Sequence, residues 1–136
     1  MMRNAVRETV LYYTPQQSEK VVKLKGVLVR MGIRIKNIGP DQVTETVGSL
    51  LGIRDCGAEQ EKAAELPVLE EEMLVMHKFS GRRLDELLHN LRKAGVPKIE
   101  LKAVVTETNI DWTFSRLYEE IRKEHDEMSG KENADV

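Results

Sequence analysis

The chain has little of what marks a specialised protein. A single cysteine, Cys56, stands among 136 residues, so no internal disulfide can form. With Asp55 beside it, that thiol reads as a spectator rather than a nucleophile. No uninterrupted run of about 18 apolar residues occurs, which excludes a membrane-spanning helix. The opening stretch carries Arg3 and Arg7 but no apolar segment of the kind a secretory leader needs, so the expected compartment is a reducing cytoplasm. Neither sign of charge dominates: 21 basic and 23 acidic residues leave a net charge of -2 and no global attraction for nucleic acid. Aromatic residues make up 4% of the chain, and none is interleaved in the basic stretch Lys20, Lys23, Lys25, Arg30, Arg34 and Lys36, which therefore reads as a solvated helix face. His77 has no second histidine or cysteine at metal-ligand spacing, and no phosphate-binding glycine pattern is present, so neither metal nor cofactor is expected.

What is present is one pattern written twice. Leu11, Val21, Leu24, Leu28, Gly32 and Ile33, shifted by 63 positions, fall on Leu74, Leu84, Leu87, Leu91, Gly95 and Val96. A strand, an amphipathic helix and a glycine stop recur in register. The first strand is predicted at Thr9 to Tyr13, with Thr14 as N-cap, Pro15 at the first helical position and Gln17 at the third. Ile33, Ile35 and Ile38 form a second strand, and Val43, Val47, Leu50 and Leu51 a short helix closing at Gly52. An acidic linker, 53–72, carries seven acids against Lys62 between Asp55 and Glu72. The second copy opens at Met73 to Met76, and Ser80 caps a helix over Leu84, Leu87, Leu88 and Leu91. A fourth strand over Ile99, Leu101 and Ala103 to Val105 follows, then a capping box at Thr108 and Asp111. The last helix shows Ile110, Phe114, Leu117, Tyr118 and Ile121, and the chain is expected to fray over 125–136.

The expectation is an α/β single domain of two βαβα copies, 9–52 and 73–124. Strands one and three are apolar without alternation and so belong in the middle of a four-stranded sheet with helices on both faces. Sheet order 2-1-3-4 with a parallel central pair is preferred, because four helices suffice to cover two faces. The rival is a ferredoxin-like α+β sheet in the order 4-1-3-2, antiparallel at its centre, with two extra helices.

In an open parallel sheet the ligand site lies beyond the carboxyl ends of the central strands. That reasoning gathers Thr14 and Gln17 from one copy and His77, Lys78, Ser80, Gly81, Arg82 and Arg83 from the other into an anion-binding site. Two arginines in the first turn of a helix oppose its dipole, and a bound phosphate or carboxylate would offset them. The plainer reading pairs Arg82 and Arg83 with Asp85, Glu86 or the linker acids. No nucleophile stands beside a base, so catalytic residues are not assigned; an enzyme would need His77 and Glu107 to converge. The leading expectation is a non-catalytic domain binding an anionic small molecule, and the competing one a homodimer or interaction module joined through an edge strand or the last helix.

Residues 72–124, with MLVMHKFSG, LLHNLRKAG and LKAVVTETNIDWTFSRLYEEI, resemble a small bacterial family known only as a domain of unknown function, 3783. The first copy follows it less well, since Gly48 and the stretch from Asp41 to Thr46 do not reproduce the signature at Thr108 to Trp112. The resemblance implies a bacterial cytoplasmic protein and brings no activity or cofactor. Its Thr-Glu-Thr-Asn-x-x-Trp pattern, here Thr106, Glu107, Thr108, Asn109 and Trp112, reads as a helix cap followed by a core tryptophan.

Overall fold

Five β-favouring residues without a polar break make β1 (Thr9–Tyr13), and their counterparts make β3 (Met73–His77). Both runs are buried on both faces because they lie side by side in the centre of a sheet ordered β2-β1-β3-β4, where β2 is Arg34–Asn37 and β4 is Leu101–Val104. The computed structural model describes residues 8–16, 18–53 and 67–134, with side chains placed as far as Glu127. Residues 54–66 of the expected acidic linker, including Cys56, lie outside the described residues, as does Gln17.

The strand order is the expected one, but the direction of the central pair is not. β1 pairs with β2 in parallel and β3 with β4 in parallel, whereas β1 and β3 run antiparallel with Leu11 opposite Val75. Burial pattern cannot distinguish the two directions, because a central strand is covered on both faces either way. Handedness then decides the layers. Two right-handed crossovers leaving antiparallel central strands on opposite sides pass over the same face. Helices α1 (Glu19–Arg30) and α3 (Gly81–Lys93) accordingly share one face, packing Val21, Leu24, Val27, Leu28, Leu87 and Leu91 on Val10, Tyr12, Leu74 and Met76. The short α2 (Val47–Leu50) and the long α4 (Phe114–Ala134) cover the other, packing Val47, Leu50, Phe114, Leu117 and Tyr118 on Leu11, Tyr13, Met73, Val75, Leu101 and Ala103.

Two local expectations are corrected. Helix α1 starts at Glu19, not beside Pro15: the Thr14 hydroxyl instead closes a tight turn, donating to the Gln16 carbonyl at 2.8 Å and lying 3.4 Å from the Gln16 amide. The Thr108 and Asp111 box does not form. The Asn109 carboxamide oxygen accepts from the Thr106 amide at 2.8 Å while the Thr106 hydroxyl accepts from the Asn109 amide at 3.0 Å, so the reciprocal cap sits two residues earlier. Thr113 caps α4 instead, accepting from the Arg116 amide at 3.1 Å. The Ser80 cap of α3 is as expected, with its hydroxyl accepting from the Arg83 amide at 3.1 Å.

The hydrogen bonds show how the two halves correspond, and the offset is not constant. It is 64 in the leading strands, where Leu11 faces Val75, and 63 at the helix ends, where Ile33 and Val96 donate to Leu28 and Leu91. From the second strand onward it is 67. Arg34 partners Thr9 as Leu101 partners Met73, and Gln42 accepts from the Gly39 amide as Asn109 does from Thr106. Val47 donates to Trp112 and Phe114 to Glu45, both at 2.9 Å, around a bridge between Thr46 and Thr113. The halves thus meet about an approximate two-fold axis, and the shift from 63 to 67 locates a four-residue insertion, residues 97–100, in the second half.

Candidate functional site

The loop after β3 holds most of the expected anion site. Lys78 takes a left-handed conformation at φ 67, turning the chain sharply into the Ser80 cap. Arg83 is engaged: its Nε and Nη2 grip the Glu8 carboxylate at 2.7 to 3.1 Å, Nη2 also donates to the Met31 carbonyl at 2.9 Å, and Nη1 reaches Glu86 at 3.3 Å. The guanidinium holds the Glu8 carboxyl below the usual range and is itself held more firmly protonated by it. It also covers a carbonyl at the negative end of α1. The offset that the sequence demanded for Arg83 is therefore supplied within the chain, by an acid 75 positions away. Arg82 stays exposed, with Glu86 3.9 Å away, and Gly81 has open space where a side chain would stand.

Thr14 is not brought to this loop. With Thr9 opposite His77 and Tyr13 opposite Met73, it lies at the other end of the sheet, roughly 17 Å from His77 at the rise of a β-strand. His77 has its Nε2 buried without a hydrogen-bond partner, and burial, helped by Lys78, lowers its pKa. It makes no hydrogen bond to the exposed Glu107, so the pairing an enzyme would need is absent among the described residues.

At the Thr14 end the structure adds a cluster that sequence reasoning missed. The Tyr12 hydroxyl donates to Glu72 at 2.6 Å, and Lys20 pairs with the same carboxylate. Burial, then Glu72, pushes the Tyr12 pKa strongly upward, so the phenol stays a neutral donor. The cluster ties α1 to the two central strands.

An apolar concavity lies elsewhere, on the α1/α3 face between α3 and the edge strand β4. It encloses about 350 Å³ over Leu74, Leu88, Leu91, Val96, Pro97 and Ile99, with Arg92, Lys98 and Lys102 at its polar side. The insertion at 97–100 builds one wall. Correspondence between the halves explains the rest: Ile35, opposite Val10 and packed into the core, is matched by Lys102, opposite Leu74. A lysine replaces an isoleucine at an apolar position. Its ammonium donates to the Ile99 carbonyl at 2.5 Å, and burial, then Lys98, lowers its pKa despite Glu100. Among the described residues no carboxylate lies within ion-pair distance of Lys102, whereas Lys98 has Glu100 at 3.6 Å. A second cleft of about 370 Å³ lies between Val27, Arg30 and Met31 of α1 and Asn90, Lys93 and Ala94 at the matching positions of α3. Its two cations sit in the last turns of their helices, where the helix dipole favours them.

Residues 72–128 match the model of a family described as a domain of unknown function, DUF3783. That segment is the second βαβα half, and it contains the insertion, Lys102 and the Thr106/Asn109 cap. No curated protein and no solved structure matches the chain. Among the described residues no group of histidine, cysteine, aspartate and glutamate side chains is placed to hold a metal, and no helix is long and apolar enough to cross a membrane.

Proposed function

We propose that this is a non-catalytic bacterial domain, cytoplasmic and descended from a duplicated βαβα unit, that binds an anionic small molecule in the groove between α3 and β4. The observation that carries the reading is Lys102. A half-buried ammonium with no carboxylate within ion-pair distance among the described residues, set in an apolar groove with two further cations beside it, is costly to keep unless an anion completes it. The groove's volume falls within the range of small-molecule sites. The Ser80 to Arg83 loop is the weaker candidate, because Arg83 is already paired and Thr14 lies at the far end of the sheet.

Thermal shift with a panel of phosphorylated and carboxylated metabolites tests this. A ligand at a hundred times its Kd adds about 2.7 kcal/mol of stability. The shift should vanish in Lys102→Glu and survive in Arg82→Ala. A panel without any shift, or a shift lost in Arg82→Ala and kept in Lys102→Glu, refutes the groove as the site.

A second reading has its own support. Val22 and Val29, on the outer surface of α1, are exposed at 74% and 71%, with Gly26 between them. A homodimer joined through this stripe would cover them, and light scattering across a concentration series, with Val29→Lys as control, decides it: a monomer at all concentrations ends this reading.

A further inference from the structure

Resting on the groove reading, we infer that the ligand is an unbranched aliphatic carboxylate, its headgroup at Lys102 and its hydrocarbon chain along Leu88, Leu91, Val96 and Ile99. The lining is selective by what it offers. Its walls are branched aliphatic side chains and a proline, and its polar groups are three cations, with no hydroxyl, carboxamide or aromatic ring among the lining residues. A nucleotide or sugar phosphate would bury hydroxyls and ring nitrogens against Leu88 and Ile99 without partners, at a cost a greasy wall does not repay. A molecule polar only at one end has no such penalty. Lys102 supplies the charge-assisted hydrogen bond at the inner end, since its ammonium has donors to spare beyond the one used on the Ile99 carbonyl. Arg92 and Lys98 are exposed at the rim and strengthen the field without fixing the headgroup.

The test is a titration of the full chain followed by amide NMR, using hexanoate, octanoate, decanoate and dodecanoate below their micelle concentrations, with decanol as the neutral control. Affinity is expected to rise about fourfold per added methylene until the groove is filled. Decanoate should bind at least tenfold more tightly than decanol, with the largest amide shifts at Leu88, Val96, Ile99 and Lys102. Lys102→Met keeps the aliphatic stem and should abolish the preference for decanoate over decanol; Lys102→Gln serves the same purpose if the methionine variant is poorly soluble. Chain-length-independent binding, or an unchanged preference in these variants, overturns the inference. Binding of a phosphorylated or dicarboxylic metabolite at the same amides, with none by the fatty acids, overturns it while leaving the anion-binding reading standing. Silence from both kinds of anion overturns both.

Discussion

Replacing Asn109 with alanine should cost more than its position in a surface turn suggests. The residue is 8% exposed, and its carboxamide does two jobs: Oδ1 accepts from the Thr106 amide at 2.8 Å and Nδ2 donates to the Val104 carbonyl at 3.0 Å. Thr106 is exposed, so water takes over much of its amide, leaving a loss of about 0.5 to 1 kcal/mol there. The Val104 carbonyl loses a partner at the end of β4, where the residue is 44% exposed and water again replaces part of the loss, which adds about 0.5 to 1 kcal/mol. The total, about 1.5 kcal/mol, corresponds to a fall in Tm of roughly 5 °C for a chain of this length. Asn109→Asp separates the two jobs. It keeps the acceptor but turns a second oxygen toward the Val104 carbonyl, which favours the protonated carboxyl and raises its folded pKa above the usual aspartate value. A raised acid pKa means the native state holds more protons than the unfolded one, so the variant's stability relative to wild type is highest below about pH 4 and is lost as pH rises through the folded pKa. Urea unfolding from pH 3.5 to 7.5, followed by circular dichroism, measures both. A loss below about 0.5 kcal/mol in Asn109→Ala, or a pH-independent gap between Asn109→Asp and wild type, would show that the turn does not depend on this side chain.

Other outcomes follow from the same contacts. Ser80→Ala should destabilise by about 1 kcal/mol, the usual worth of a helix N-cap, and a thermal melt unchanged within error would contradict the Arg83 amide bond. Arg83→Ala should lower Tm while Arg82→Ala leaves it unchanged, because only the first grips Glu8; equal effects would mean the fork does not form in solution. Glu8, with its folded pKa held below the ordinary glutamate value of 4.5, contributes stability that is present above that value and lost as pH falls through the folded pKa; Glu8→Gln should flatten that acid limb of the stability curve. Lys102→Met should raise Tm in the absence of ligand and remove the gain in stability that wild type shows as pH climbs toward the ordinary lysine value of 10.5, where its lowered pKa makes deprotonation easier in the folded state.

Much of the candidate site was legible only in part. Ser80 as a cap and Arg82 with Arg83 as an anomaly were visible because helix ends have position-specific chemistry. That Glu8 resolves half of the anomaly was not, since the two residues are 75 positions apart and their contact depends on which strand ends lie together. The groove was hidden by reading the repeat at one fixed offset. At 63 positions Ile35 matches Lys98, a plain surface residue; only at the offset of 67 fixed by strand register does it match Lys102 and mark a lysine where the fold expects an apolar side chain. At that same offset Val43, Thr46, Val47 and Leu50 fall on Ile110, Thr113, Phe114 and Leu117, so the signal for the second pair of helices was present in the sequence.

By itself the amino-acid sequence determined what depends on neighbours along the chain. Unbroken apolar runs put β1 and β3 at the centre, helical spacing gave α1 and α3 their buried stripes, and Gly32 and Gly95, at φ 72 and 83, ended them. Tertiary structure alone decided the antiparallel sense of the central pair, because both senses bury the same side chains and differ only in where the connections pass. From that one choice came the shared face of α1 and α3, the separation of Thr14 from the Ser80 loop, and the edge at β4 where Lys102 meets an apolar wall.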